Sequence, residues 1–133
     1  MEFQVSTTSQ VPIYRQLAGQ IRRGVALGKL VVGEQLPSVR EFSRQLVVNP
    51  NTIARAYLEL ERDGVVHTRQ GIGVFIAQPQ SDVQKTARKK LLLDKLDELL
   101  TDAVYLEFTQ QEVTELVRKR SQLFSWPRAG GES

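Results

Sequence analysis

Ser38-Val39-Arg40-Glu41 and Asn49-Pro50-Asn51-Thr52 are two helix starts separated by one short apolar stripe. In the first, Ser38 can cap the helix while Glu41, three residues on, bonds back to it, the reciprocal pairing of a capping box. In the second, Asn49 is a strong N-cap, and Pro50 suits the first helical position because the N–H it lacks has no partner there anyway. Val39, Phe42 and Leu46 supply the buried stripe between them, which leaves Val47 and Val48 to make the connection. Two short helices joined so tightly read as a helix-turn-helix. Its second helix starts at Pro50, buries Ile53, Ala56, Tyr57 and Leu60, and stops at Asp63-Gly64.

Upstream, Ile13, Leu17, Ile21 and Val25 recur every four positions between Pro12 and Leu27, drawing one helical stripe with Arg15, Arg22 and Arg23 off it. Gly28 ends that helix. Downstream of Gly64 the period changes to alternation, with Val66 and Thr68 on one side of a strand, Gln70-Gly71-Ile72-Gly73 as a turn and Val74-Phe75-Ile76 as the return. The spacing predicts an α+β winged helix-turn-helix over residues 10–77, with Pro50–Arg62 as recognition helix and Val65–Ile76 as wing. Ala77 to Ser81, containing Pro79, is the expected boundary. Beyond it Leu92, Leu96, Leu99, Ala103 and Leu106 follow spacings of four, three, four and three, and Leu93, Leu100 and Val104 widen the face. Thr109 and Glu112 form a second capping box, opening a helix with Val113, Leu116, Val117 and Leu123. One short partner helix cannot cover so wide a face, so residues 81–125 are expected to be an all-α two-helix dimerisation region, with 126–133 a flexible tail.

Composition removes most other chemistry. A chain of 133 residues has room for one small domain and a helical appendage, and it contains no Cys and a single His, His67. Disulfides, thiolate zinc sites, Cys nucleophiles and His metal clusters are excluded together. No enzyme activity and no cofactor are expected. The N-terminus has no basic start followed by an apolar core, and no apolar run approaches the roughly 18 residues that span a bilayer. A cytoplasmic protein without a membrane partner is expected, associated with the nucleoid when bound to DNA. Residues 1–77 hold nine Lys/Arg against six Asp/Glu, a balance of +3, whereas residues 78–133 hold nine of each. The positive excess lies with the winged helix, as a polyanionic partner would require.

Asn51, Thr52 and Arg55 stay off the buried stripe and lie together at the first turns of the recognition helix, the part that enters a major groove. A merely solvated helix face would use the same residues; the helix-turn-helix and wing around them favour DNA. Ser38, Arg40 and the N-terminal N–H groups of the preceding helix suit a phosphate, although a cap and a solvated Arg would look alike. Arg69, Gln70 and Gly71 mark a hairpin tip that can reach a minor groove, and turn geometry alone would also select Gly71 and Gly73. His67 receives no role. Arg88-Lys89-Lys90 and Arg118-Lys119-Arg120 read as solvated helix faces, and Trp126 as a packing residue.

The segments Gly33 to Glu41, Val48 to Gly64 and Arg69 to Phe75 together resemble the GntR family of bacterial transcription regulators, from about Gln10 to Ala77. The Asn-Pro-Asn-Thr sequence and the short tail are similar to its YtrA subfamily, whose members end in a small pair of dimerising helices. By this resemblance Ser38 and Arg40 match positions that meet DNA backbone or base edges, Asn49, Asn51 and Thr52 match recognition-helix contacts, and Gln70 and Gly71 match wing contacts. Many members carry Arg where this chain has Pro50 and often where it has Ala54, so base reading by those side chains is absent here; apart from the resemblance, Arg55 is the expected substitute, on a base or on a phosphate. The resemblance implies a homodimeric regulator, expected to repress through an inverted-repeat operator on double-stranded DNA. Only 56 residues follow Ala77 in the 133 (133 minus 77), which leaves little room for an effector pocket, and the sequence assigns no effector. A protein-binding winged helix would carry an acidic or apolar recognition face, which Asn51, Thr52 and Arg55 do not provide. A nuclease or related enzyme would need a carboxylate pair with a base, a metal cluster or a Gly-rich phosphate loop, and none is present.

Overall fold

The computed structural model describes residues 1–78 and 82–126, the side chains of 82–84 excepted. The chain divides into two compact units, Met1–Pro79 with Ser125–Ser133, and Gln80–Phe124. The first contains α1 (Ile13–Ala26), α2 (Val39–Leu46), α3 (Pro50–Arg62), β1 (Val66–Arg69) and β2 (Gly73–Ile76). The second contains α4 (Asp82–Tyr105) and α5 (Gln110–Ser121).

In the first unit α3 packs against α1, α2 and β1, and the stripes read from the sequence meet in one core. Leu17, Ile21, Phe42, Ile53, Leu60, Val66 and Ile76 are its largest fully buried side chains. Removing so many large apolar groups from water, at about 25 cal/mol per Å², is what holds three short helices together. Both predicted caps form. Ser38 Oγ accepts the Glu41 N–H at 3.0 Å and a Glu41 carboxylate oxygen accepts the Ser38 N–H at 2.9 Å. Asn49 Oδ1 accepts the Asn51 N–H at 2.8 Å, with Pro50 in the first turn. The connection between α2 and α3 carries a strain that the sequence reading missed. Val47 sits at φ 55°, ψ 54°, the left-handed region that a β-branched side chain resists, and it is 89% exposed.

The strands are antiparallel, pairing Val66 with Ile76 and Arg69 with Gly73, so the wing loop is Gln70-Gly71-Ile72 and Gly73 belongs to the return strand. Val66 is buried, but Thr68 lies beyond the edge of the core and is exposed. A third backbone stretch lies along β2. Gln35 bridges Phe75, Leu36 N–H donates to the Val74 carbonyl at 2.9 Å, and Ile76 N–H donates to the Glu34 carbonyl at 2.9 Å. This fixes the loop between α1 and α2, and thereby the start of α2, to the wing.

The N-terminal eleven residues, which show no period, also belong to this unit. Phe3 meets the Phe42 ring edge-on at 5.1 Å. Gln20 and Gln16, one turn apart on α1, exchange side-chain amide bonds with the backbone of Gln4 and Ser6. Residues two apart in an extended chain present their amides to the same side, at nearly the spacing of one helical turn, so two glutamines can imitate a neighbouring strand. Ser125 N–H donates to the Ala26 carbonyl and groups with this unit. The expected tail falls at Trp126, which is exposed, and at 127–133, outside the described residues.

In the second unit Thr109 and Glu112 form the predicted capping box at 2.8 and 3.1 Å. The tight connection before it places Glu107 at φ 66°. The apolar stripe finds little cover within the chain: Leu92 is 66% exposed, and Leu96, Leu99, Leu106, Leu116 and Val117 are all exposed. Ala103, grouped with that free face in the sequence, is instead 9% exposed, and Val113 is half-buried. Ala103 lies in the last turn of α4 and Val113 in the first turn of α5, one on each side of the connection, and both are shielded within the unit itself. No helix among the described residues is long and apolar enough to cross a membrane.

Candidate nucleic-acid interface

The capping side chains have part of their bonding capacity committed before any ligand arrives. Ser38 Oγ and Asn49 Oδ1 each accept a backbone N–H, and what they can still donate outward to an anion is the serine hydroxyl proton and the asparagine Nδ2. The capping box uses the Glu41 N–H, and the N–H groups of Val39 and Arg40 remain outside it at the start of α2. Arg40 and Arg44 lie one turn apart on α2, both exposed.

On α3, Asn51 and Arg55 are exposed and Thr52 is half-buried. The structure adds two residues to this face that sequence reasoning left out. Leu58 is 67% exposed, one turn beyond Ala54, so the outer face of α3 runs from amide and hydroxyl groups to bare apolar surface. Tyr14 of α1 lies under Arg55, whose guanidinium carbon stands 4.0 Å from the ring centroid. Arg15 approaches the same ring at 5.9 Å and donates from Nε to the Tyr14 hydroxyl at 3.3 Å. Tyr14 falls just off the α1 stripe, and only the packing of α1 on α3 brings it to Arg55.

The orientation of α3 is fixed from below. Tyr57 donates its hydroxyl proton to the Pro37 carbonyl at 2.5 Å, and burial, with the Glu41 charge second, pushes that hydroxyl well above its ordinary value of 10.0. At the far end of α3, Arg22 pairs with Glu59 at 3.5 Å and with Asp63.

The wing shows the same stacking on a smaller scale. Arg69 stands 5.4 Å over the Phe75 ring, and His67 stacks against that ring at 5.8 Å. Gly71, at φ 79° with open space where a Cβ would stand, is needed for its left-handed backbone. Gly73 sits at φ 153°, a backbone that side chains rarely adopt, and a Cβ there would also displace the Gln35 amide, whose Nε2 donates to the Ile72 carbonyl at 3.1 Å and so holds the loop. The structure thus brings Asn51, Thr52 and Arg55 onto one helix face, puts Ser38 and Arg40 at the start of α2 and puts Arg69, Gln70 and Gly71 at the hairpin tip. Among the described residues no group of three His, Cys, Asp or Glu side chains is placed to hold a metal ion.

A winged helix-turn-helix with a polar, capped recognition helix and an arginine-bearing wing defines a DNA-binding transcription regulator. Residues 13–76 match the model for bacterial regulatory proteins of the gntR family. Over 118 residues the chain is 31% identical to the HTH-type transcriptional repressor YtrA of Bacillus subtilis (strain 168), covering 89% of this chain and 91% of that protein. The chain belongs to the GntR family. It is similar throughout to a crystal structure of a transcriptional antiterminator from Listeria monocytogenes EGD-e, with a TM-score of 0.76 and 37% identity over 98% of each chain. The DNA-binding domain of AraR, solved in complex with operator ORX1, matches at a TM-score of 0.52 and 26% identity, over 58% of this chain and 99% of that one.

Proposed function

We propose that this regulator is a homodimeric repressor that occludes a promoter by holding an inverted-repeat operator. The first turns of α3 enter the major groove, where Asn51 pairs with a base edge and Thr52 contacts its neighbour. Ser38, Arg40 and the Asn49 amide hold the phosphate backbone beside it, and Pro50 sets the angle at which α3 begins. Arg69, Gln70 and Gly71 reach the adjacent minor groove. No cofactor enters this reading, and the protein acts in the cytoplasm, at the nucleoid.

The observation that carries the reading is how the arginines divide. Among the described residues, Arg22 and Arg62 pair with carboxylates at the C-terminal end of α3, whereas Arg15, Arg40, Arg44, Arg55 and Arg69 have none within ion-pair distance. Five guanidinium groups without a counter-charge, on α1, the helix-turn-helix and the wing, suit a polyanion that supplies the charge from outside.

A second copy of the chain is the proposed cover for the exposed Leu92, Leu96, Leu99, Leu106, Leu116 and Val117. Charge supports that occupant. From Asp82 to Lys90 α4 carries four Lys/Arg and one Asp, and from Leu91 to Tyr105 four Asp/Glu and one Lys, so two α4 helices packed head to tail set net opposite charges side by side. The test is selection from random duplex DNA, with the mass of the bound species measured in parallel. One enriched inverted repeat, with half-site centres about 10 base pairs apart, and a two-chain complex are expected. An enriched site without symmetry, or a one-chain complex, overturns the dimer.

A further inference from the structure

We propose that Tyr14 is a positioning residue that holds Arg55 ready for a DNA backbone phosphate, so that Arg55 adds affinity for any duplex and does not read a base. The inference rests on the DNA-binding reading and goes beyond it by assigning a task to a residue outside the helix-turn-helix.

The Tyr14 ring is half-buried and packs on the core, so it is fixed. The Arg55 guanidinium, at the end of a long exposed side chain, has no such support except the ring 4.0 Å beneath it. A guanidinium held 4.0 Å over a ring face leaves N–H donors free to point outward past the ring. The stack also draws Arg55 off the axis of α3 and toward α1. The floor of a major groove lies ahead of the recognition helix and its phosphate walls lie to either side, so a side chain tied to a flanking helix meets a wall. Arg15, bonded to the Tyr14 hydroxyl, adds a second positive charge at the same place. Among the described residues no Asp or Glu lies within ion-pair distance of either arginine, so both charges are left for a ligand to meet. Two guanidinium groups around one phenol, neither neutralised by a carboxylate, match a phosphate in charge and in the N–H donors they offer.

The test compares full-length wild type, Tyr14→Leu, Tyr14→Phe, Arg55→Ala and the Tyr14→Leu/Arg55→Ala double variant. Each is titrated with a mixed-sequence duplex and with the duplex recovered by selection, over a range of salt concentrations. Tyr14→Leu is expected to weaken both complexes by the same factor, about 2- to 5-fold, as the stack is lost. Tyr14→Phe keeps the ring and recovers most of that loss. Arg55→Ala, at an exposed position that leaves the fold alone, is expected to weaken both duplexes equally and to lower the salt slope by about one unit for each phosphate contact removed. In the Arg55→Ala background Tyr14→Leu has little further effect, because the stack is gone and only the Arg15 bond to the Tyr14 hydroxyl, which Tyr14→Phe also removes, is left to lose. A loss confined to the selected duplex means Arg55 reads a base and overturns the proposal. Additive losses in the double variant mean Tyr14 touches DNA by itself and overturn it as well. Unchanged binding by every variant, with tight wild-type binding, sinks this inference and leaves the DNA-binding reading standing; failure of the wild type on every duplex sinks both.

Discussion

The Tyr57 hydroxyl donates to the Pro37 carbonyl across 2.5 Å, tying the middle of the recognition helix to the residue just before Ser38. One bond therefore sets α3 relative to the start of α2, and with it the spacing between Asn51 and Arg40.

Tyr57→Phe leaves the Pro37 carbonyl without its donor and should lower stability by about 1 to 2 kcal/mol in urea unfolding. The variant also has a pH signature. Burial raises the Tyr57 hydroxyl in the folded state above its ordinary value of 10.0, so the unfolded chain loses this proton first. The stabilisation is complete below pH 10 and declines as the pH climbs further. Wild type should lose stability on that alkaline limb, and Tyr57→Phe should lose less. Parallel limbs would show that the bond does not govern the titration.

Val47→Gly should stabilise the domain by about 1 kcal/mol, because an exposed β-branched residue is held in left-handed backbone and gives up no packing when removed. A higher thermal midpoint is the expected result. A lower one would mean that the extra freedom of glycine in the unfolded chain outweighs the relieved strain.

Leu96→Asp and Leu99→Asp each place a carboxylate on a face that is exposed in one chain but covered in the proposed dimer. The single chain should keep its helicity while sedimentation shifts from two chains to one, since burying an unpaired charge costs several kcal/mol. Retention of a two-chain species by both variants would place the interface elsewhere.

Asn51→Ala and Arg40→Ala should fail in different ways. Loss of a base contact by Asn51→Ala should cost roughly 1 to 3 kcal/mol on the selected operator and much less on scrambled duplex. Loss of a phosphate contact by Arg40→Ala should weaken both and lower the salt slope. Equal losses on both duplexes for Asn51→Ala would remove it from base reading.

The sequence alone determined everything that local chemistry governs. Ser38 with Glu41, Asn49 with Pro50, and Thr109 with Glu112 start helices through bonds to backbone groups three residues away or fewer, so their signals are complete in the linear chain. The apolar period placed Leu17, Phe42, Ile53 and Leu60 in the core for the same reason: a helix maps residue spacing directly onto direction. Tertiary structure decided what depends on partners distant in sequence. The bridge from Gln35 to Phe75, the arm held by Gln16 and Gln20, the shielding of Ala103 and the stack of Arg55 on Tyr14 each join groups that no periodicity relates. Val47 belongs with them, because its left-handed backbone is imposed by the two helices it connects and not by its own preference.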